Sequence, residues 1–547
     1  MIEAKKSNKI WLTVLLGAFY LFLLAILLNN SFGYLDPDFG WHLKIGEQIW
    51  QTKAVPDINH EDYTLLGTRW VDHEWFSNLF IYAIDHNFGY IVLSFCFALL
   101  VVLILIIQLV FTRKYFLKND RGLIFVLFLQ GFGLYACLPH LGVRVQEITI
   151  LLLLLLLIII YFYNRNKNYQ ILFWLIPLFI FWASAHGGFL IGLFILGLFT
   201  LVKALELWSA RKFPAAFIDY GRVLDWKQIA IFAGFSAAAL LSTLATPYGW
   251  KLYGFLAGYR DGYYQLHLAE WQGQYSFPFV YPQLFYLEIV LVFLALLFFA
   301  VFIFKFDHRR QIDIFNAALV IAFTALAIKA RRHFPLLFIV SLPIMAEFLI
   351  GFFKFDIPPD RFKKFGAIFK IWLPIILSVI LLVAGTLIAL KINFTDQPEK
   401  FYSSTYPYGA IKFLRSHPEW NDRRIFNDYG WGGYLIWQYP ERLLFGDGRL
   451  PQYPLHGGTV LEEYGAFLDP QKMVAQLNYY QIGLVLVSPR EDYPQVHWWE
   501  KLIFAVNENN VSADVKKSFI LLDYLNSSPA WRSVYDDGTA EVFVKNK

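Results

Sequence analysis

Ile148–Tyr163, ITILLLLLLLIIIYFY, is nearly unbroken Leu and Ile and carries no charge. Such a run faces lipid, and it is one of many in the chain. Of 547 residues, 57% are hydrophobic and only 16% are charged, where soluble proteins carry about 25% charged residues. Mean hydropathy is +0.46. The protein lives in a membrane. Its many Phe and Trp suit lipid contact and interfacial belts.

On either side of that run, apolar stretches near twenty residues long predict about eleven spans in all. They lie near 10–28, 88–111, 121–139, 147–163, 170–184, 188–204, 228–245, 283–305, 313–328, 334–352 and 366–391. The first follows Lys5, Lys6 and Lys9 without a convincing cleavage site, so it reads as a retained helix. With the N-terminus in the cytoplasm, every inner loop is basic: Arg113, Lys114, Lys118 and Arg121; Arg165 and Lys167; Lys203, Arg211, Lys212, Arg222 and Lys227; Lys305, Arg309 and Arg310; Lys354, Arg361, Lys363 and Lys364. The positive-inside rule is obeyed. Those loops also account for the net charge of +5, so nucleic acid is not implied as a partner. Cys96 and Cys137 both sit in apolar runs, which argues against a disulfide framework or a cysteine metal site.

Three regions fall outside: loop 30–86, a loop over 246–282, and the tail from about Ile392. The expected domains are a membrane part over 1–391, including the first outer loop, and an extracytoplasmic part over 392–547. In the tail, Arg424–Asp428, Arg442–Phe445, Gly483–Ser488 and Ala540–Val544 read as strands. Gly409–Arg415, Gln471–Tyr479 and Trp498–Val506 read as helices, so the tail is expected to be a small α/β domain.

Polar residues collect on the outer face. Asp36-Pro37-Asp38-Phe39-Gly40-Trp41-His42 follows the first span, and Trp70-Val71-Asp72-His73-Glu74-Trp75 closes the same loop. Two carboxylates flanking a proline can supply a general base or hold a hard divalent cation such as Mg or Mn. A plain turn with a helix cap would explain them too. Trp41, Trp70 and Trp75 could serve only as headgroup anchors. His140, Arg144, Gln146 and Glu147 begin one outer end, and His186-Gly187-Gly188 makes a tight turn at another. A satisfied polar cap would account for His186. Arg260, Asp261, His267 and Glu270 lie in the 246–282 loop, and Lys329-Ala330-Arg331-Arg332-His333 stands outside against the charge rule. Cations so placed point to an anionic ligand, with lipid headgroups the plainer partner.

This arrangement resembles the GT-C superfamily of integral-membrane glycosyltransferases. The shared features are an acidic pair in the first outer loop, many spans and a C-terminal outer domain. The closer likeness is to a poorly characterised bacterial branch. It is carried by the Asp36–His42 and Trp70–Trp75 motifs, His186-Gly187-Gly188 and Arg331-Arg332-His333-Phe334-Pro335. In the tail it is carried by Asn427-Asp428-Tyr429-Gly430-Trp431-Gly432-Gly433-Tyr434-Leu435 and Asp447-Gly448-Arg449.

The resemblance implies transfer of a sugar from a polyprenyl-phosphate donor to a glycan, lipid or protein acceptor outside the cytoplasm of a bacterial inner membrane. It implies Asp38 as base with Asp36 or Glu74 assisting, and Asp36 and Asp38 as the holders of any cation. The expected substrate contacts are His42, His73, Arg144, His186, Arg260, Arg331, Arg332 and His333. Two other classes compete. A secondary transporter would need ionisable groups near the bilayer midplane and two related halves, and neither is evident. An envelope assembly factor would use the tail alone to bind a partner.

Overall fold

The structure is a computed structural model and describes residues 2–117, 122–212, 223–260, 262–302, 313–352, 363–489, 495–507 and 519–546. Of the residues named above, Lys118, Arg121, Arg222, Asp261, Lys305, Arg309, Arg310, Lys354 and Arg361 lie outside these ranges. The chain divides into two compact units. A membrane unit comprises Met1–Tyr34, Ile91–Thr246 and Val280–Phe394. A second unit, labelled the outer unit after the side expected for its segments, comprises Leu35–Tyr90, Pro247–Phe279 and Thr395–Lys547.

The membrane unit is helical because its sequence offers no alternative. In a hydrocarbon core every backbone N–H and C=O must be satisfied within its own segment. Among the described residues, eight helices are long and apolar enough to cross a membrane, and Tyr169–Ala185, Trp226–Ser242 and Ile314–Lys329 are shorter apolar helices. Among the described residues, each of the eleven expected stretches overlaps a helix, three of them on helices of 17 residues or fewer. The protein is a multi-pass membrane protein.

Several polar side chains in this unit bond to one another across helices. Tyr20 donates to Gln130 Oε1 at 3.0 Å, and Gln130 donates to Gln108 Oε1 at 3.1 Å. Gln108 in turn donates to the Ile339 carbonyl at 3.2 Å. Such side-chain bonds join helices that apolar contact alone would not select. Lys203, read as the edge of a basic loop, lies inside the Phe189–Lys212 helix, buried and paired with Glu206 at 3.0 Å and Asp313 at 3.1 Å.

The Trp75–Tyr115 helix breaks at Gly89, where φ is 83° and ψ 169°. That backbone conformation is costly for any residue with a Cβ. A methyl there would also meet Asp396 Oδ1 at 2.5 Å. The two units divide at this break, the outer one ending at Tyr90.

In the outer unit, the tail builds a four-stranded mixed sheet from β1 (Arg424–Asn427), β2 (Ile482–Val487), β3 (Trp531–Asp536) and β4 (Glu541–Lys545), in the order β1-β2-β4-β3. β1 runs parallel to β2, while β4 is antiparallel to both its neighbours. Phe426, Phe445, Phe467, Leu477, Val485 and Phe543 sit in one core beneath the sheet. Arg442–Phe445 does not form the expected strand. The Arg442 guanidinium instead grips the carbonyls of Asn421, Trp420 and Arg423, the last two at 3.2 and 2.7 Å. Leu444 makes an isolated bridge to Asp62.

Candidate active site

Asp36-Pro37-Asp38-Phe39 is a tight turn: the Phe39 N–H donates to the Asp36 carbonyl at 3.1 Å, and Pro37 occupies the position where its fixed φ is favoured. Asp36 Oδ1 accepts the Asp38 N–H at 2.9 Å, the self-bonding that suits Asp to turns. The Phe39–Thr52 helix follows, with Asp38 at its N-cap position. Yet the Asp38 side chain makes no capping bond. Its Oδ1 accepts the Trp41 indole N–H at 3.0 Å instead. Asp38 is therefore more than a helix cap. Its carboxylate is aimed sideways from a helix N-terminus, an end that favours negative charge.

One turn on, His42 is buried, its ring 3.8 Å from that of Trp41 and tilted 38° to it, and its Nδ1 is 2.5 Å from Asn78 Oδ1. Asn78 donates to both oxygens of Asp72 at 3.0 and 2.9 Å, and Asp72 also accepts the Glu74 N–H at 3.1 Å. Burial pushes the Asp72 carboxyl up to about 7 and the His42 imidazole down to about 4. The neutral form of each is favoured where water is excluded. His73 lies 3.5 Å from Glu74 and packs against Phe255 and Tyr259 at 5.2 and 6.2 Å. Phe255 and Tyr259 come from the 247–279 loop, which places part of that loop beside loop one.

The tail reaches the same turn. β1 ends at Asn427, a 3-10 turn Tyr429–Trp431 follows, and the Gly432–Gln438 helix begins. A methyl on Gly433 would collide with the Pro37 carbonyl, and one on Gly40 with the Gly433 carbonyl. The Phe39–Thr52 and Gly432–Gln438 helices cross backbone to backbone at these two glycines. Gly448 faces Asp38, because a methyl there would stand 2.7 Å from Asp38 Oδ1. Burial raises the Tyr429 phenol, and the nearby Tyr264, Asp38 and Asp447 raise it further.

Of the expected site residues, the outer unit gathers Asp36, Asp38, His42, His73 and Glu74, with Arg260 exposed on the 3-10 turn Gly258–Arg260. The other five belong to the membrane unit. Arg144 donates to the Pro139 carbonyl at 3.3 Å and lies 6.0 Å from the Tyr34 ring. His186 caps a helix: its Nδ1 accepts the Gly188 N–H at 3.0 Å and meets Thr149 Oγ1 at 2.7 Å. Arg331, Arg332 and His333 form a 3-10 turn ahead of the Phe334–Phe352 helix, with Arg331 buried. Trp41 and Trp70 are buried rather than anchored at headgroups. Sequence reading missed Asn59, Glu61, Asp62 and Asn78. The acidic pair Glu61-Asp62 within the same loop was the available signal.

No protein-family model matches the chain, and no curated protein matches it by sequence. Solved archaeal structures align with it at TM-scores below 0.5. The apo oligosaccharyltransferase of Archaeoglobus fulgidus aligns with a TM-score of 0.47 at 12% identity, over 87% of this chain and 69% of that one. Oligosaccharyltransferase AglB from Archaeoglobus fulgidus, in complex with an inhibitory peptide and a dolichol-phosphate, aligns with a TM-score of 0.49 at 12% identity, over 98% and 74%.

Proposed function

We propose that the protein is a GT-C-type membrane glycosyltransferase that moves a sugar from a polyprenyl-phosphate donor to an acceptor hydroxyl on the outer face of a bacterial inner membrane, N-terminus in the cytoplasm and tail outside. The observation that carries this reading is Asp38. It follows the first span directly, it is aimed by an indole rather than spent on capping, and it abuts the backbone of the tail's Asp447-Gly448-Arg449 turn. A tail that served only partner binding would have no need to meet that carboxylate.

Asp38 takes the acceptor proton as the acceptor oxygen bonds to the anomeric carbon. The bond from that carbon to the donor phosphate oxygen breaks, and polyprenyl phosphate leaves with the electron pair. General-base assistance of this kind contributes about a hundredfold or more. The leaving phosphate already has a low pKa, so no acid is required. Cationic donors should meet its charge, and guanidinium groups pair with phosphate oxygens where Lys offers a point charge. Arg331 and Arg332, outside against the charge rule, are assigned that role on the sequence, with Arg144 and Arg260 next.

Among the described residues, no group of three or more His, Cys, Asp or Glu side chains is gathered for a metal. Asp36 and Asp38 would hold a divalent cation as a pair, with phosphate and water completing its shell as Mg favours. Such an ion would supply further positive charge for the leaving phosphate.

Incubating the purified chain with a panel of polyprenyl-phosphate sugars and acceptors should release free polyprenyl phosphate from at least one donor. Absence of release from every donor, together with no binding of polyprenyl phosphate by native mass spectrometry, contradicts the reading.

A further inference from the structure

The Asp447-Gly448-Arg449 turn is held more firmly than a surface turn requires. Arg449 is buried, and its guanidinium meets Asp447 through two parallel bonds, Nε to Oδ1 at 2.9 Å and Nη2 to Oδ2 at 2.7 Å. Its backbone N–H also donates to Asp447 Oδ1, at 2.8 Å. The same guanidinium reaches loop one: Glu61 Oε2 at 2.9 Å, Asn59 Oδ1 at 3.0 Å and Asp62 Oδ2 at 3.3 Å. The Trp70 ring lies 4.8 Å from it. This is the fork geometry for which Arg is suited and Lys is not.

The electrostatics of the cluster are consistent with a single locked arrangement. Burial opposes the Asp447 charge, but the Arg449 guanidinium beside it holds that carboxyl below its usual range. Burial and the neighbouring Asp447 push the Asp62 carboxyl up, against the pull of the Arg449 guanidinium. The same guanidinium faces Asp447 and the partly exposed Glu61. The backbone completes the attachment. The Leu444 N–H donates to the Glu61 carbonyl at 2.9 Å, and Thr64 Oγ1 donates to the Phe445 carbonyl at 2.6 Å. Asn427 accepts the Phe445 N–H at 2.9 Å and donates to the Gly446 carbonyl at 3.1 Å.

A turn so fixed cannot retreat, and at its centre Gly448 faces Asp38 Oδ1, the oxygen that accepts the Trp41 indole. We infer that Gly448 is the positioning residue for Asp38: Arg449 immobilises the turn, and the missing side chain at 448 leaves the space in which one carboxylate oxygen rests on Trp41. Its catalytic consequence rests on the transferase reading above. Its geometry does not. An added methyl at 448 meets the end of a short side chain. The carboxylate will rotate off the indole at little cost in stability and lose its aim.

The test is Gly448→Ala in the full chain, read two ways. Kinetically, kcat should fall by about a hundredfold, the scale of a 1 Å misplacement, with the KM for the polyprenyl-phosphate donor unchanged. In the Asp38→Asn background the same substitution should cost nothing further. Structurally, cryo-electron microscopy of Gly448→Ala should show the Trp41–Asp38 hydrogen bond broken and the Arg449 hydrogen bonds intact. Retention of that Trp41–Asp38 bond, or normal turnover by Gly448→Ala, overturns the inference. A broken bond in a chain whose wild-type form transfers no sugar supports the geometry and overturns the transferase reading.

Discussion

Each unit buries a charged network, and the two networks differ in kind. In the membrane unit, Lys203 pairs with Glu206 three residues along its own helix and with Asp313, which also caps the Ile314–Lys329 helix. In the outer unit, Arg449 ties its own turn to Glu61, 388 positions away. The first network joins a helix to the cap of another 110 positions on through a single point charge. The second joins loop one to the tail through a planar guanidinium bonded at several points, beside further hydrogen bonds between the same segments. That planar, multiply bonded join lies beside a carboxylate turned away from capping duty.

That difference predicts unequal fragility. Arg449→Met leaves Asp447 buried without its cation, and breaking one partner out of a buried pair costs about 3–5 kcal/mol. Chemical denaturation of the purified chain should therefore show the outer unit unfolding far earlier, with the hydrogen bonds of Thr64 and Leu444 breaking together. Near-wild-type stability would mean that the cluster is incidental and that the two networks are alike after all.

A subtler contrast lies within the outer unit, where His42 and Asp72 meet through Asn78. His42, held down at about 4, favours the folded state above its ordinary pKa of 6.5, an advantage lost as pH falls towards 4. Asp72, held up at about 7, favours the folded state below its ordinary 3.8, an advantage lost as pH rises towards 7. The two slopes oppose each other between about pH 4 and 6.5. Asp72→Asn should expose the acid loss, with melting temperature dropping more steeply as pH falls through that window. His42→Gln should expose the opposite slope. Parallel pH profiles for wild type and both variants would show that neither group is as deeply desolvated as its position implies.

The spans were legible because hydropathy over about twenty residues is a long, local signal. β1, β2 and β4 were legible for a similar reason, since each is a short apolar run between turn residues. Trp531–Asp536 was not, because Arg532, Ser533 and Asp536 interrupt its apolar residues at a mostly exposed edge. Gly432–Gln438 was not among the expected helices, and its glycines serve a close crossing with Phe39–Thr52. The Asp36–Asp38 motif stood out through its own spacing. Its supports did not: Asn78 and Gly448 acquire their roles only when the chain folds, and nothing local distinguishes them. Arg442 shows the same limit from the other side, since an apparent strand is displaced by carbonyls that its guanidinium finds elsewhere.

Whether Asp38 is the base is decided by single-turnover sugar transfer with Asp38→Asn beside wild type, donor binding being followed in parallel. Asparagine preserves the Trp41 hydrogen bond through its carbonyl oxygen while removing the ability to take a proton. The expected outcome is unchanged donor affinity, an intact fold and a transfer rate lower by about a hundredfold or more. Transfer at the wild-type rate by a folded Asp38→Asn protein would remove Asp38 from the chemistry.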